Sequence, residues 1–536
     1  MVRMSAKSYG SSRKIVMAID IGTTSAKVLA VDAAVLKGNK EGTAAAAKAE
    51  TEYPLNEPFP GRFEQDPDRI AEAVGLAVRK LLEQEAVKPE EIIGISFSSA
   101  MHSLIAVNAE GAPLTACITW ADLRASSYAA ALRASGQAAG IARRTGVPVH
   151  AMTPLCKLMW MRDHEPAAFL AAHTFIGVKE YVLFRWFGGP YVMDESVAGG
   201  TGLYNLVEGS WDEESLALAG IDAGRLPRLV SSTHVLRGMR QEAAAALGLP
   251  ADVPVIVGAA DGVLANLGAG AVEEGVAAVT VGTSGAVRIG MDRPAADPEG
   301  RLFCYKLADG LWVAGGPVNS GGVVLRWLRD KLVPADAAEA ARSGLDPYER
   351  IVSLAMETPP GADGLLCLPH LAGERAPHWD EDARGVFFGL SLGHDRRHLL
   401  RSGLEGIVLG LRTVAEAVAA TADGPLREIR ASGGFARSGA LRQLMADIFG
   451  CPVTLADTEE ASAIGAAMLA LLALGEAGSL RGLAAAVHIV DRREPQIEAV
   501  RVYDRLYPVY RSLYDALAPA FADIAAYQRD VITDPQ

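Results

Sequence analysis

In the stretch VMAIDIGTTSAKVLAVD (residues 16–32) a carboxylate, Asp20, closes one apolar run, and Gly22, Thr23, Thr24 and Ser25 fill the gap before a second run that carries Lys27. Gly22 permits a positive φ and close approach of a ligand, while the threonine and serine hydroxyls and turn amides make a donor-rich concavity suited to phosphate. Asp20 would repel phosphate directly, so a Mg²⁺ ion reached through water is its expected partner. Lys27 could neutralise a terminal phosphoryl group. Taken singly, such a loop is an ordinary hairpin turn.

A second copy changes that reading. AAVTVGTSGAVRIG (residues 277–290) repeats the order of strand, Gly-Thr, small polar residue and strand, about 260 residues further on, which is the mark of a duplicated chain. Gly282, Thr283 and Ser284 would then be a second jaw closing on the same polyphosphate. IGISFSSAMHS (93–103) and IRASGGFARSG (429–439) form a weaker second echo. No GxxxxGK[ST] pattern occurs, which excludes a P-loop. In VGAADGVLANLGAG (257–270) Asp261 is a single acid among small and apolar residues. It reads either as a helix N-cap or, lying between the two copies, as a general base that takes a proton from an attacking hydroxyl.

These residues need elements to hold them. Strand-like runs at 16–21, 92–97, 253–257, 277–281 and 429–431 alternate with helix-like segments at 70–85, 399–419 and 438–449, the pattern of an α/β fold. At 536 residues the chain exceeds one hydrophobic core. The expected division is a disordered leader (1–14), a first domain (15–256), a second domain (257–500) and a C-terminal helix packed on the second domain (501–536). The net charge of −13 offers no basic field for nucleic acid or an anionic membrane. The Ala-rich run at 461–478 is short enough to read as a buried helix, and the leader lacks the apolar core of a signal peptide. Five cysteines without ligand-like spacing fit reduced core residues in a cytoplasmic protein.

With these pieces in order, the chain resembles the FGGY carbohydrate kinases of the sugar kinase, Hsp70 and actin superfamily over residues 15–500. MTPLCKLMWMRDH (152–164) is similar to the family's first signature and GVFFGLSLGHDRRHLLRSGLEG (385–406) to its second, with Gly403 a small departure. The resemblance implies two duplicated ribonuclease H-like (actin-like ATPase) domains flanking a central cleft, with ATP and Mg²⁺ as cofactors. It implies that Asp20 organises the metal and that Gly22, Thr23, Thr24 and Lys27 meet the ATP phosphates. Gly282 and Thr283 would grip them from the other domain. Gly322, Arg326, Gly433, Gly434 and Ser438 would surround the nucleotide, Ser438 standing where an Asn is often found. Asp261 matches the catalytic base.

The segments SFSSAMHSLIAVN (96–108), TWADLRA (119–125) and ADGVLANLG (260–268) resemble the gluconate kinase branch. Gly262 stands there where xylulokinases usually have Asn and glycerol kinases Gln. The implied partner is a small sugar or sugar acid, bound by Met101, His102, Trp120, Asp122, Arg124 and Asp261. Arg124, with its planar fork, is the expected partner of a substrate carboxylate. Without the resemblance, Met101 and Trp120 read as core, His102 as a satisfied strand-end histidine, and Asp122 with Arg124 as a surface pair. Kinases for xylulose, ribulose or glycerol remain alternatives, as does an actin-like nucleotide switch, because fold does not fix function. A homodimer through the C-terminal helix is compatible with the sequence and not required by it.

Overall fold

The computed structural model describes residues 13–40, 42–422, 424–458 and 460–533. Most of the expected leader lies outside the described residues. Its last two residues are anchored, Arg13 to the Ala86 carbonyl at 3.0 Å and Lys14 to Glu476 at 2.5 Å.

The first sheet is built from β1 (Ile15–Ile21), β2 (Ser25–Asp32), β3 (Ala45–Glu52), β4 (Ile92–Ser99), β5 (Val235–Leu236) and β6 (Val255–Ala260), in spatial order β5-β6-β4-β1-β2-β3. The second comprises β7 (Val276–Val281), β8 (Gly285–Met291), β9 (Phe303–Ala308), β10 (Leu311–Val318), β11 (Glu428–Ser432), β12 (Val453–Ala456) and β13 (Ile489–Arg493), in the order β9-β10-β8-β7-β11-β12-β13. Each sheet opens with an antiparallel meander and continues through two parallel strands to an antiparallel edge. With β9 as the one addition, the same order occurs twice. This is the duplicated α/β fold that the repeated loops led one to expect, and the weaker echo maps onto β4 and β11, each parallel to the first strand of its sheet.

The helices that matter here are α1 (Pro67–Glu83), α2 (Pro154–His164), α3 (Asp261–Gly268), α4 (Gly322–Trp327), α5 (Arg396–Thr421), α6 (Gly439–Phe449), α7 (Ala461–Ala473) and α8 (Ile497–Thr533). Asp66 caps α1, its carboxylate accepting the Asp68 and Arg69 amides, and Pro67 fits the first turn. α8 buries Tyr503, Tyr507, Tyr510, Leu513 and Phe521 in the second core, as the aromatic periodicity suggested, and starts a few residues before the expected limit. The expected border between residues 256 and 257 falls inside β6, which pairs in parallel with β4. Strand pairing decides the matter, so β6 belongs to the first domain. All five cysteines are buried and unbridged. Among the described residues no helix is long and apolar enough to cross a membrane.

The halves meet where α3 crosses α7. A Cβ on Gly268 would stand 1.9 Å from the Ala461 carbonyl oxygen, and one on Gly465 would stand 2.1 Å from that of Leu264. The two helices therefore touch backbone to backbone. α7 is apolar around its whole circumference because it also packs on β1, β4 and β6, which seals a core shared by both halves. Gly465→Ala is expected to cost about 1–3 kcal/mol by overpacking and to lower the melting temperature by several degrees. Gly478→Ala, where an added Cβ meets nothing within 4 Å, is the control. Identical melting curves for the two variants would contradict the close crossing.

Candidate active site

Between the halves lies a cleft of ≈590 Å³ into which both Gly-Thr loops project, with Thr23 on one side and Gly282, Thr283 and Ser284 on the other. Each loop is a tight turn: the Gly22 amide donates to the Ser25 carbonyl at 3.0 Å, and that of Gly282 to the Ser284 carbonyl at 2.9 Å. Neither glycine uses a positive φ, so the freedom that Gly22 permits is not drawn on here. Glycine serves here by bareness, since the space beside Gly282 is open. The start of α4 braces the second loop, with the Gly322 and Val323 amides donating to the Gly282 and Thr283 carbonyls at 2.7 and 2.9 Å.

Asp261 is the first residue of α3, and Ala260, not Asp261, occupies the cap position, so the N-cap alternative falls. Its Oδ1 accepts the Gly262 amide at 2.6 Å. Burial, and next the charge of Asp20, push its carboxyl up to about 6, while Arg288 and the Gly262 amide pull the other way. Asp20, the penultimate residue of β1, has both oxygens engaged, Ser98 donating at 2.5 Å and Ser462 of α7 at 3.2 Å. Burial raises its pKa against the pull of Ser98 and Lys27. Lys27 is paired with Glu460 at 3.3 Å, so its ammonium is already shared.

The opposite wall comes from the first domain. Met101, His102 and Trp120 all line the cleft. His102 has φ +65°, a conformation that non-glycine residues adopt at a cost and that clusters at functional sites. Its Nδ1 lies 2.7 Å from the Gly200 carbonyl, which can only accept, so Nδ1 carries the proton and Nε2 is left as an acceptor. Burial, with the Lys157 charge second, pushes this imidazole down to about 3. The Trp120 indole donates to Thr23 Oγ1 at 2.9 Å and so ties this wall to the first loop. Lys157 of α2 is fully buried and donates to the His102 and Thr119 carbonyls at 2.6 and 2.7 Å. Burial pushes its amine down to about 7.

Two expected residues are elsewhere. Arg124 and Asp122 do not line the cleft, and they are not a surface pair either. The Arg124 side chain is 2% exposed, bonded to Asp122 at 2.8 Å and to Glu64 at 2.5 Å, with its guanidinium over the Trp160 ring. Its donors are spent in holding the loop that presents Trp120. Gly322, Arg326, Gly433, Gly434 and Ser438 also lie outside the cleft lining, at the start of α4 and between β11 and α6. Gly433 needs its φ of +83° and its bareness, because a Cβ would meet the Val281 carbonyl oxygen at 2.5 Å. Gly434 faces open space, Arg326 is exposed, and Ser438 stands at the cap position of α6 without a capping side-chain bond, its hydroxyl donating to Glu349 at 3.4 Å.

The sequence reading missed Lys157, Arg288, Arg375, Asn319, Ser98 and Ser462. Lys157 and Arg288 left a signal, since each is a lone cation in an apolar run, within MTPLCKLMWMRDH and AAVTVGTSGAVRIG. Arg375 and Asn319 sit in loop segments with no such contrast. A larger cavity of ≈640 Å³ lies between α5 and α8, but its charges already answer one another, His370 with Glu374 and Arg511 with Glu416.

The models of the FGGY family of carbohydrate kinases match this chain twice, the N-terminal domain over residues 15–268 and the C-terminal domain over 277–474. The chain is 42% identical over 515 residues to a gluconokinase of Bacillus licheniformis, covering 96% of this chain and 98% of that protein. It is 29% identical over 510 residues to a xylulose kinase of Lactococcus lactis, covering 93% and 96%. The crystal structure of a gluconate kinase from Lactobacillus acidophilus superposes with a TM-score of 0.89 at 34% identity, covering 96% of this chain and all of that one.

The environment of His102 is open to direct measurement. In ¹⁵N-histidine-labelled protein, its ring should remain a neutral Nδ1–H tautomer at pH 5, since its midpoint lies near 3. The His102→Gln spectrum assigns the signal. A His102 resonance that titrates near 6.5 would contradict the buried, carbonyl-anchored ring.

Proposed function

This chain belongs to the FGGY family of carbohydrate kinases, and from that premise we propose that it transfers the γ-phosphoryl group of ATP to the 6-hydroxyl of D-gluconate, giving 6-phospho-D-gluconate and ADP. The observation that carries the choice of sugar is the uneven likeness: the gluconokinase shares far more of the chain's residues than the xylulose kinase does, over the same nearly full length.

The cleft supplies the parts that phosphoryl transfer needs. Gluconate lies along the Met101, His102 and Trp120 wall with its 6-hydroxyl at Asp261. Asp261 takes the hydroxyl proton while the oxygen attacks the γ-phosphorus and the bond from that phosphorus to the ADP oxygen breaks. A midpoint of about 6 suits this role, since the group is mostly ionised at neutral pH yet more basic than an ordinary Asp. His102 Nε2 accepts from a sugar hydroxyl. The two Gly-Thr turns hold the triphosphate with backbone amides and the Thr23, Thr24 and Thr283 hydroxyls, preorganised where charge develops. Gly322, Arg326, Gly433, Gly434 and Ser438 form the nucleotide side, with Lys27 and Glu460 beside the phosphates.

Asp20 fits a Mg²⁺ ion. It is a lone carboxylate oriented by two serine hydroxyls, and among the described residues no cluster of three metal-ligating side chains forms a dedicated cage. Such a site suits an ion whose other ligands are nucleotide phosphates and water. Bound there, the ion would neutralise charge on the phosphoryl oxygens.

With Mg-ATP, ADP release should be fastest with D-gluconate among D-gluconate, D-xylulose, L-ribulose and glycerol, and near background without sugar. Faster turnover of a neutral sugar would overturn the substrate assignment and leave the kinase assignment standing. Asp261→Asn should lose about 10²–10⁴-fold in kcat. Because the base must be ionised and burial raises its pKa, kcat/KM for the wild type should climb with pH through about 6, not through the ordinary Asp value of 3.8. Near-normal turnover in the variant would remove Asp261 from the role of base.

A further inference from the structure

Among the described residues, three that line the cleft carry formal charge: Asp261, Arg288 and Arg375. A chain with a net charge of −13 thus places two guanidinium groups opposite a single carboxylate in its central cleft. Neither arginine has a carboxylate within ion-pair distance among the described residues, whereas Arg124 has three, Asp122, Glu64 and Glu165. The arrangement is built for an anion that arrives with a ligand.

Arg288 projects from β8, where it faces Gly315 of β10. A Cβ on Gly315 would stand 3.0 Å from Arg288 Cγ, and one on Gly262 would stand 3.2 Å from Arg288 Nε. Two bare positions therefore flank the side chain and leave room for its guanidinium. Its guanidinium makes one long hydrogen bond among the described residues, from Nη1 to Thr280 Oγ1 at 3.5 Å, so the Nε and Nη2 donors are not committed. Arg375 is held from behind. Its Nε donates to Asn319 Oδ1 at 2.8 Å and its Nη2 to the Val318 carbonyl at 3.0 Å, and Glu374 fixes the Asn319 and Arg375 amides. Nη1 remains for a ligand.

The position of the pair separates it from the phosphate side. The charges acting on Asp20 are Lys27 and Glu460, whereas Arg375 acts on His102 and His150, after burial in each case. Arg288 acts on Asp261 and on Arg375. Arg375 faces the histidine wall where the sugar is read to lie, and Arg288 stands between it and Asp261.

We propose that Arg288 and Arg375 together form the subsite for the carboxylate of a sugar acid, with Gly262 and Gly315 clearing the space for the Arg288 fork. This rests on the reading of the substrate as D-gluconate, and it replaces Arg124 in that role. Two guanidinium groups offer a carboxylate the charge-assisted, planar pairing that a neutral hydroxyl cannot exploit. The selectivity for an acid over a neutral sugar is therefore set by the second domain, across the cleft from the wall that holds the sugar hydroxyls.

The test compares D-gluconate with D-glucitol, which keeps carbons 2 to 6 and replaces the carboxylate by a hydroxymethyl group. Dissociation constants for both, and for Mg-ATP, are measured by calorimetry on wild type, Arg288→Met, Arg375→Gln and Gly262→Ala. Wild-type turnover of gluconate, measured separately, tests the substrate reading on its own. The preference for gluconate over glucitol should fall on the order of 100-fold in each arginine variant, which corresponds to about 2.7 kcal/mol, while the Mg-ATP constant moves less than about 3-fold. Gly262→Ala, which keeps both charges but crowds Arg288, should reduce the same preference and guards against a variant that fails to fold. If wild type phosphorylates gluconate but the preference is unchanged in the variants, the subsite is wrong and the function stands. Loss of Mg-ATP binding in the arginine variants would assign the cations to the phosphates and overturn the proposal, as would a wild type with no preference for the acid.

Discussion

The backbone contact between α3 and α7 is the constraint on which the site depends. Each helix follows a parallel strand of its own sheet, β6 in one half and β12 in the other, so one crossing couples two otherwise separate cores. Glycine at 268 and 465 lets the axes approach until carbonyls, not side chains, limit the distance. A contact of that kind has little give. Its chemical consequence follows from what the helices carry at their starts: Asp261 opens α3, and Ser462, near the start of α7, donates to Asp20. The crossing thus sets Asp261, Asp20 and Ser462 of the opposite half in one arrangement.

Electrostatics inside the cleft is governed by how few charges enter it. Asp20 and Asp261 are both withdrawn from water, and the charge of Asp20 raises the resistance of Asp261 to ionisation beyond what burial does alone, as Glu460 does for Asp20. The serines at Asp20 and the cation at Asp261 give the two carboxylates different surroundings. Lys157 does its work through geometry. Fully buried and bonded to two carbonyls, it fixes the strained turn at His102 and the segment that presents Trp120. The Asp122, Arg124 and Glu64 cluster supports the same segment from the other side. The charged network around the Met101, His102 and Trp120 wall is therefore mostly scaffold, whereas Arg288 and Arg375 line the cleft itself.

Much of the architecture was legible along the chain. Two loops of the same composition in the same strand context predicted a duplicated fold, because a Gly-Thr turn between buried strands constrains the backbone locally wherever it occurs. The runs around β1, β4, β7 and β11 and the helices α1, α5 and α6 were found within a few residues for the same reason: hydrophobic period and capping are local properties. The border between the halves was misplaced because β6 owes its domain to pairing with β4, and no residue of β6 announces which sheet it will join.

The candidate site divides along the same line. Residue type and spacing alone identified the donor-rich loops, Asp20 beside one of them and Asp261 as an isolated acid between the copies, since these depend on neighbours in sequence. What the tertiary structure decided was how each charge is satisfied. Arg124 looked available and is sealed by Asp122 and Glu64, while Arg288 and Arg375, 87 positions apart in numbering (375 − 288), converge on one cleft. A charged side chain's function depends on whether its donors are already spent, and that is fixed by partners the fold brings from elsewhere in the chain.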